Sequence, residues 1–311
     1  MAVMIKTVSL TKRYGSLVAL ANLNLEINEG DCYGFIGPNG AGKSTTIKIL
    51  ATLLQPTWGE ARVCDYVVGY QSRQIRPLIG YVPDYFGAYE DMVVQEYLEF
   101  FAAAYNINGP ARTKIVNDVL ELTDLGYKRD ALVDGLSRGM KQRLSIGRVL
   151  VHDPKVLLLD EPAGNLDPRA RIEMRELLKE LQRRQKTILI SSHILPELAD
   201  LCNTVGIIEQ GELLYSGPLA DIVRKVRSGT VLHVGVADNQ EQAAALLSQD
   251  PNIASVSANN GVIEVSLKEG ISDYSFVPQR LITAGYRLTL LKEEDVNLET
   301  AFMRLTKGAV Q

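Results

Sequence analysis

Two patterns of hydrophobic and polar positions, one typical of buried strands and one typical of helices, alternate along the first two thirds of the chain. Short apolar runs at 32–36, 156–159 and 187–190 are typical of strands that are buried on both faces, as in a parallel sheet. Apolar residues at helical spacing follow the first of these runs, namely Ile47, Leu50, Ala51 and Leu54. Strands that alternate with helices over residues 1–220 predict an α/β domain with a mainly parallel sheet and helices around it.

A mostly helical segment interrupts this alternation at about residues 88–150. Strict alternation at 5–8 and 23–27 predicts half-buried strands before it, and residues 55–90 have the pattern of strands and loops. Two helical stripes then follow, formed by Leu98, Phe101, Ala102 and Tyr105 and by Ile115, Val119 and Leu122. Apolar stripes at helical spacing usually form core contacts, so we expect them to pack inside the domain rather than to hold a ligand.

The pattern changes at residues 220–230, and the elements beyond follow the order β-α-β-β-α-β. They are predicted as strand 230–236, helix 240–247, strands 253–258 and 262–267, helix 277–284 and strand 287–291. This order predicts a small ferredoxin-like α+β domain at residues 229–311, with a turn at Asn259, Asn260 and Gly261 and a last helix capped by Asn297. The domain has no histidine cluster or glycine-rich loop, so a docking or dimerising module is favoured. A ligand sensor stays open as the alternative.

The composition narrows the class of protein without identifying it. The chain has 311 residues, is 46% hydrophobic and 23% charged, and carries a formal net charge of −4 without a basic block. We therefore expect a globular protein of one or two domains whose main partner is not nucleic acid. Cys32, Cys64 and Cys202 lack C-x-x-C spacing, which predicts neither a disulfide framework nor a zinc site. No apolar run has the length of a membrane span and no signal peptide is evident, so we expect another chain to provide any membrane function.

The segment after the first buried strand carries the strongest candidate chemistry. It fits the phosphate-binding pattern G-x-x-x-x-G-K-[ST] with Gly37, Pro38, Asn39, Gly40, Ala41, Gly42, Lys43, Ser44 and Thr45. Glycines let backbone N–H groups converge on an anion at the start of the next helix. Lys43 supplies a charge for the β- and γ-phosphates, and the Ser44 hydroxyl is a ligand for Mg²⁺. The alternative, a glycine-rich turn that happens to contain a lysine, is disfavoured by the flanking strand and helix.

Two acids follow the second buried strand. Asp160 and Glu161 emerge where open α/β sheets bind ligands, at the carboxyl end of run 156–159. The first acid suits Mg²⁺, either directly or through water, and the second suits a general base that activates water. The alternative is a pair of solvated turn residues, which the phosphate-binding segment elsewhere in the chain disfavours.

Four further positions have a functional and a structural interpretation. Tyr14, on a polar turn bounded by glycine, could stack on a purine ring or simply pack. Ser137 is expected to cap a helix, and it is open whether it does more. His193 could hydrogen-bond a γ-phosphate or the attacking water from the end of run 187–190, although a single histidine is more often structural. Asp167 is expected to cap the next helix, with Pro168 at its first position.

These motifs, in this order, resemble those of the ATP-binding subunits of ATP-binding-cassette (ABC) transporters. The matches are Tyr14 as the base-stacking aromatic, 37–45 as the Walker A loop, 136–143 as the signature motif, 156–161 as the Walker B strand with the catalytic glutamate, Leu166 and Asp167 as the D-loop, and His193 as the switch histidine. The resemblance implies an α/β fold with a P-loop NTPase (ABC ATPase) core at residues 1–225 and a helical insertion. Details including segment 96–100 and the appended C-terminal domain are similar to the bacterial branch that partners ABC-2-type membrane subunits, mostly exporters.

The resemblance implies ATP and Mg²⁺ as cofactors, and ATP hydrolysis coupled to transport. It implies catalytic roles for Lys43, Glu161 and His193, and Mg²⁺ ligation by Ser44, Asp84 and Asp160. The residues that it implies around the nucleotide are Tyr14, Gly37, Pro38, Asn39, Gly40, Ala41, Gly42, Lys43, Ser44, Thr45, Thr46, Ser137, Arg138, Gly139 and Asp167. The implied partners are a second copy of the chain, which would complete the ATP site, and a membrane-spanning permease at the cytoplasmic face of a bacterial inner membrane.

Two positions depart from the family pattern. Asp84 stands where the family has the glutamine of its Q-loop, and Arg138 replaces the first of two glycines in the signature motif. A carboxylate at Asp84 can still face Mg²⁺, but it adds negative charge near the triphosphate. Arg138 could bring a cation to the opposing γ-phosphate or point into solvent.

Three rival functions fit the sequence less well than the transport subunit. A soluble ABC ATPase acting on ribosomes or DNA usually has two cassettes or a coiled coil, and this chain has one cassette and no basic tail. A nucleotide-gated regulator that barely hydrolyses ATP is disfavoured by the presence of Glu161 and His193. A P-loop kinase or GTPase would have no role for the segment at 136–143.

Overall fold

The computed structural model describes residues 2–85, 87, 91–226, 230–259, 261–268, 270–271, 273–293 and 298–306. The chain divides into two units, of which the first extends through Leu219 and the second spans Ala220–Arg304. The elements of the first unit are β1 (Val3–Tyr14), β2 (Leu17–Leu23), β3 (Glu26–Asn28), β4 (Cys32–Ile36), α1 (Lys43–Leu50), β5 (Trp58–Val63), β6 (Tyr66–Val67), α2 (Ser72–Ile75), β7 (Ile79–Val82), α3 (Val94–Ala104), α4 (Gly109–Leu122), α5 (Arg138–Leu150), β8 (Val156–Asp160), α6 (Pro168–Arg183), β9 (Thr187–Ser192), α7 (Leu195–Leu201), β10 (Thr204–Glu209) and β11 (Glu212–Pro218). Helix α8 (Leu219–Val226) follows, and then come β12 (Val231–Val236), α9 (Gln240–Ser248), β13 (Ile253–Asn259), β14 (Val262–Leu267), α10 (Phe276–Thr283), β15 (Leu288–Glu293) and α11 (Leu298–Leu305).

The three apolar runs of the sequence form neighbouring strands of one six-stranded sheet. Its order is β11-β10-β4-β9-β8-β7, and all pairs are parallel except β10 with β11. Every residue of β4, β8 and β9 is buried, which explains the absence of polar alternation in these strands. The carboxyl ends of these three strands therefore meet at one edge, and the prediction of a mainly parallel sheet is confirmed.

A second, antiparallel sheet was not predicted. Strands β2, β1, β5 and β6 pair in that order, and β3 also pairs with β1. The single strand expected at 23–27 is wrong. Strand β2 ends at Leu23 and β3 begins at Glu26, and the interruption lies beside Thr7 of β1. The Thr7 hydroxyl donates to the Leu23 carbonyl at 2.9 Å and accepts from the Leu25 N–H at 2.8 Å, so a side chain replaces ladder hydrogen bonds there. Helix α1 packs between the two sheets through Ile47, Ile49 and Leu50.

Helices α3, α4 and α5 lie within the segment that was predicted as helical. The buried positions of α4 are Val116, Val119 and Leu120, so the predicted stripe is shifted around the helix, and Ile115 and Leu122 are only half-buried. Helices α4 and α5 approach closely at Gly147, where an added Cβ would lie 3.0 Å from Val119 Cγ1. The expected loop residues Phe86, Ala88, Tyr89 and Glu90 lie outside the described residues.

The second unit has the six elements of the predicted order β-α-β-β-α-β. Its antiparallel sheet has the order β13-β14-β12-β15, with β12 in contact with both β14 and β15. One face carries Leu232, Val234, Ile263 and Val265, and these residues form a core with Leu247 of α9 and Leu281 of α10. The predicted cap Asn297 and the turn residue Asn260 lie outside the described residues. Over the described parts of the chain, no helix is both long and apolar enough to cross a bilayer.

Candidate active site

The segment between β4 and α1 forms a loop that only glycine fits at two positions. A Cβ on Gly37 would lie 2.3 Å from the Ile208 carbonyl oxygen. Gly42 has a left-handed φ of 107°, and a Cβ there would lie 2.7 Å from the carbonyl oxygen of Ala19 in β2. Gly42 is also the N-cap of α1 and carries no side chain, so the first N–H groups of the helix have no side-chain partner at the cap. This cradle fits an anion such as a phosphate.

Lys43 is a buried cation at the centre of this loop. Its side chain is 6% exposed, and Nζ donates to the carbonyl oxygens of Gly37 at 2.6 Å and Pro38 at 3.1 Å. Burial lowers the pKa of Lys43, and the negative charges of Glu161 and Asp160 oppose this change. The loop carbonyl groups stabilise the Lys43 ammonium group only as dipoles. An anion bound in the cradle would place a negative charge beside it.

Asp160 is held by two hydroxyl groups at the end of β8. Ser44 Oγ and Ser191 Oγ both donate to Asp160 Oδ1, at 3.0 and 2.7 Å, and Asp160 is 2% exposed. Ser191 faces Asp160 across the β8–β9 register, so a neighbouring strand fixes the carboxylate. A serine hydroxyl next to a carboxylate is a set of hard oxygen donors that fits Mg²⁺. Ser191 was not among the predicted site residues, although its place at the end of a buried strand could have indicated it.

Glu161 follows directly and has a strained backbone. Its φ is 50°, in the left-handed region that non-glycine residues rarely adopt. Its N–H donates to Ser191 Oγ at 3.0 Å and lies 3.2 Å from the Ser191 carbonyl oxygen. The contacts with Ser191 therefore hold the backbone of Glu161 in this strained conformation, as is common at functional sites.

The side chain of Glu161 lies between Lys43 and His193. Its Oε1 is 3.9 Å from Lys43 Nζ, and its Oε2 is 2.8 Å from His193 Nδ1. Glu161 is 19% exposed, whereas His193 is 58% exposed. The structure therefore brings all three predicted catalytic residues together at the carboxyl ends of β4, β8 and β9.

Asp84 lies after β7 and is exposed. Within the described residues, no hydrogen bond joins it to Ser44 or Asp160. Tyr81 links this region electrostatically to the acids, because burial and then the charges of Asp160 and Asp84 raise its pKa to about 12. Metal ligation by Asp84 stays a prediction.

The signature residues and the D-loop residue form a second cluster. Ser137 Oγ accepts from Met140 N–H at 3.3 Å at the start of α5, and Asp167 Oδ1 accepts from Ala170 N–H at 3.0 Å at the start of α6, which confirms both caps. A Cβ on Gly139 would lie 2.7 Å from Ala170 Cβ, so the two helix starts are closely packed. In the part of the chain that the structure describes, no hydrogen bond or ion pair joins residues 137–139, Arg138 included, to the loop at 37–45.

Arg143, the last residue of the signature match at 136–143, stabilises this second cluster, and the sequence did not predict that role. Its side chain is 4% exposed, and Nη1 donates to the carbonyl oxygens of Thr123 at 2.8 Å and Asp124 at 3.2 Å. Nη2 lies 3.2 Å from Glu173 Oε2 on α6. One buried guanidinium thus joins the end of α4 to α5 and α6.

Tyr14 lies at the end of β1 beside the turn at Gly15, and it pairs in register with Leu17 of β2. It is 47% exposed, and Lys12 Nζ lies 5.2 Å from its ring centroid. Strand β2 contacts the phosphate-binding loop at Gly42 through Ala19 and Leu20. An exposed aromatic ring is therefore presented at the end of the hairpin that borders the loop.

The fold and these groups define a P-loop ATPase of the cassette type. The family model "ABC transporter" matches residues 20–164. The chain is 35% identical over 316 residues to the bacitracin transport ATP-binding protein of Bacillus licheniformis, and the match covers 99% of both chains. It is 41% identical over 206 residues to the Nod factor export ATP-binding protein I of Burkholderia orbicola, over 66% of this chain and 68% of the relative.

Solved structures give the same result for the first part of the chain. An ATP-binding subunit of an ABC transporter superposes with a TM-score of 0.65 at 28% identity, covering 71% of this chain and 92% of that chain. A dimeric cassette in a post-hydrolysis state with bound ADP and Pi has a TM-score of 0.63 at 28% identity, covering 70% of this chain and 99% of that chain. The chain belongs to the family of ABC transporter ATP-binding subunits, and it is an ATP-binding and ATP-hydrolysing subunit of that family. The resemblance seen in the sequence is confirmed.

Proposed function

We propose that two copies of this chain bind two molecules of Mg-ATP head to tail and hydrolyse them to drive export through a membrane-spanning partner. The observation that carries this proposal is the meeting of Lys43, Glu161 and His193 at one sheet edge, with Ser44 and Asp160 bonded beside them. This set has a phosphate cradle, a pair of metal-binding oxygens and a base within one site. Phosphoryl transfer to water needs these three parts.

Ser44 and Asp160 would hold Mg²⁺, with Asp84 as the proposed third contributor. Bound Mg²⁺ would offset the charge of the β- and γ-phosphates. The chain's own residues position these ligands, because Ser191 fixes the carboxylate that Ser44 also contacts. Residues 37–46 would hold the phosphates through Lys43 and the backbone N–H groups at the start of α1.

Glu161 would orient and polarise the attacking water. One carboxylate oxygen is already bonded to His193, which fixes the direction of the side chain. His193 is exposed and could contact the γ-phosphate while it holds Glu161. Catalysis would then rest on positioning and on charge stabilisation, as is usual for phosphoryl transfer.

A second copy would complete the site through Ser137, Arg138 and Gly139. These residues belong to a cluster at the starts of α5 and α6 that makes no hydrogen bond to residues 37–45 in the described chain. Ser137 and Arg138 are exposed and are available to another molecule. The dimeric relative with bound ADP and Pi supports an assembly in which two cassettes meet around the nucleotide.

A groove on the first unit would accept the membrane partner. Its apolar wall is formed by Ala51, Leu53, Ile79, Tyr81, Phe101, Tyr105 and Val149, together with His152. Burial lowers the pKa of His152, which stacks on Tyr105 at 3.9 Å, so the groove favours the neutral imidazole. Arg76 and Arg148 are its charged lining residues, and no carboxylate is among the described ones. We propose an amphipathic, acidic segment of the permease as the occupant, at the cytoplasmic face of the membrane.

The direction of transport and the role of residues 229–311 belong to the same proposal. Export is supported by the Nod factor export relative, and the match to the bacitracin transport protein extends over the C-terminal unit as well. The proposed role of the C-terminal unit is that of a docking or dimerising module, with a ligand sensor as the alternative.

The mass of the Glu161→Gln variant in solution tests the central step. Light scattering should show a monomer of 34.3 kDa without nucleotide and twice that mass with Mg-ATP, because the variant binds ATP but cannot hydrolyse it. A variant that adds Lys43→Ala is the control and should stay monomeric with Mg-ATP. A mass that stays at 34.3 kDa with Mg-ATP in the Glu161→Gln variant would contradict the head-to-tail dimer, whereas twice that mass already without ATP would indicate a constitutive dimer held by the C-terminal unit.

A further inference from the structure

Two ion pairs join α6 to α7 next to the candidate active site. Arg171 Nε lies 3.6 Å from Glu197 Oε1. One turn further along both helices, Arg175 Nη1 donates to Asp200 Oδ2 at 2.7 Å. The inner pair (Arg171 with Glu197) and the outer pair (Arg175 with Asp200) differ in the burial of their acids, since Glu197 is 22% exposed and Asp200 is 59% exposed, whereas Arg171 and Arg175 are similar at 38% and 31%.

Each member of the inner pair is close in sequence to a site residue. The backbone N–H of Arg171 donates to the carbonyl oxygen of Asp167, the N-cap of α6, at 3.0 Å. Glu197 lies in the first turn of α7, four residues after His193. The inner pair therefore joins the helix that begins at the D-loop to the helix that follows the switch histidine.

The charge of Glu197 interacts with the catalytic groups. Burial raises the pKa of Glu197, and the positive charges of Arg171, Arg175 and His193 oppose this change, while Glu161 adds to it. The Glu197 carboxylate therefore lies within the electrostatic range of both partners of the bond between His193 and Glu161.

The inner pair is an ion pair without a hydrogen bond, and a small cavity lies beside it. At 3.6 Å the two atoms are beyond a hydrogen bond, and Arg171 Nε is buried without a hydrogen-bond partner among the described residues. A small cavity between the helices is lined by Arg171, Arg175, Ser192 and Glu197 as well as by apolar side chains. A small approach of α7 to α6 would turn this ion pair into a charge-assisted hydrogen bond.

We infer that Glu197 and Arg171 are positioning residues for His193, because their ion pair holds the start of α7 against α6 and thereby holds His193 against Glu161. The inference rests on the proposed function, since it takes Glu161 and His193 to act in hydrolysis. It adds a link between the D-loop helix and the switch histidine, so that a displacement of one changes the position of the other.

The outer pair provides a matched control for a purely structural role. Both pairs join the same two helices through an arginine and a carboxylate, which is a glutamate in the inner pair and an aspartate in the outer pair, and the Arg175–Asp200 distance is the shorter one. If these pairs only held the helices together, Glu197→Gln and Asp200→Asn would have similar effects. If Glu197 positions His193, only Glu197→Gln should change the rate.

The first measurement is steady-state ATP hydrolysis by the full chain. Glu197→Gln should lower kcat about tenfold and change KM for ATP less than about twofold, because a misplaced catalytic group affects the reaction more than binding. Arg171→Gln should have the same effect, and adding it to Glu197→Gln should cause no further loss. Asp200→Asn should stay within about twofold of the wild type, since an exposed pair contributes little. Equal effects of Glu197→Gln and Asp200→Asn would overturn the inference.

The second measurement combines Glu197→Gln with His193→Ala. If Glu197 acts through His193, the double variant should have the kcat of His193→Ala alone. Multiplied losses would show that Glu197 acts on something else and would also overturn the inference. A His193→Ala variant with wild-type kcat would instead remove His193 from the proposed function, and the inference would fall with it. Thermal unfolding of each variant verifies that the fold is kept, and Arg171→Gln answers the question if Glu197→Gln does not fold.

Discussion

The two halves of the candidate ATP site are built very differently. At the sheet edge, Asp160, Glu161 and His193 are linked with the hydroxyls of Ser44 and Ser191 into one hydrogen-bonded network within a single chain. Lys43 Nζ lies 3.9 Å from Glu161 Oε1 and completes the cluster as an ion pair. At the starts of α5 and α6, the side chains of Ser137 and Asp167 cap their own helices, and they make no further hydrogen bond within the described residues. A network that is satisfied internally can be pre-organised before the ligand arrives, whereas exposed helix starts gain partners only from another molecule. The contrast is consistent with the proposal that one half performs the chemistry and the other completes the site of a second copy.

Substitution of Glu161, the proposed general base at the sheet edge, should have the largest effect on ATP hydrolysis. Glu161→Gln should lower the rate of ATP hydrolysis at least about a hundredfold, because general-base catalysis usually contributes that much, and should keep ATP binding. Phosphate release under saturating Mg-ATP measures the rate, and nucleotide titration measures binding. Turnover within about tenfold of the wild type would remove Glu161 from the mechanism.

Gly139 tests whether the second half also acts on another molecule. Gly139→Ala should destabilise the chain by about 1–3 kcal/mol, because the new methyl would lie 2.7 Å from Ala170 Cβ. Adding Ala170→Gly should restore most of the stability, measured by chemical denaturation, by removing the opposing methyl.

The ATP-dependent dimer then separates the two roles of Gly139. If this residue also approaches the nucleotide of a second copy, the stable double variant in the Glu161→Gln background should dimerise more weakly with Mg-ATP than Glu161→Gln alone. Full recovery of both stability and dimerisation would mean that Gly139 serves only the contact with α6.

Substitution of Ser191 tests how far the network at the sheet edge depends on a residue that supports Asp160 and Glu161. Ser191→Ala should cost about 1–3 kcal/mol of stability, because it removes a donor to buried Asp160 and an acceptor for the Glu161 N–H. The affinity for Mg-ATP should fall as well, since Asp160 loses one of the two groups that fix it. Ser192→Ala is the matched control, since the Ser192 hydroxyl accepts only from the Ile194 N–H in the described network. Equal losses of Mg-ATP affinity in both variants would contradict this role of Ser191.

The sequence predicted the sheet edge well because the residues there are fixed by local rules. Buried strands appear as apolar runs, and the polar residues that follow β4, β8 and β9 must meet because parallel strands end at one edge. The antiparallel sheet of β1, β2, β3, β5 and β6 was missed because β1 pairs with β3 and β5, which are distant in sequence, and because the Thr7 side chain of β1 replaces ladder hydrogen bonds where β2 ends and β3 has not yet begun.

The supporting residues could not be predicted for a related reason. The bonds of Ser191 to Asp160 and of Arg143 to Glu173 join residues about thirty positions apart, and no local pattern specifies such pairs. The shifted stripe of α4 has the same origin, since the face that a helix buries depends on where its neighbours lie. No pattern within one chain specifies the proposed partner of residues 137–139 either.

Removal of the C-terminal unit, which is remote in sequence from both halves of the site, is expected to have the smallest effect on ATP binding. Ala220–Arg304 has its own core, built on Leu232, Val234, Ile263 and Val265, and it contributes none of the residues assigned to the ATP site. A chain that ends at residue 225 should therefore bind Mg-ATP with an affinity within about twofold of the full chain, as measured by nucleotide titration. A folded truncation that has lost nucleotide binding would show that the boundary is drawn wrongly. If binding is kept but the ATP-dependent dimer of the Glu161→Gln variant weakens, then the C-terminal unit adds contact area to an assembly whose chemistry lies entirely in the first unit.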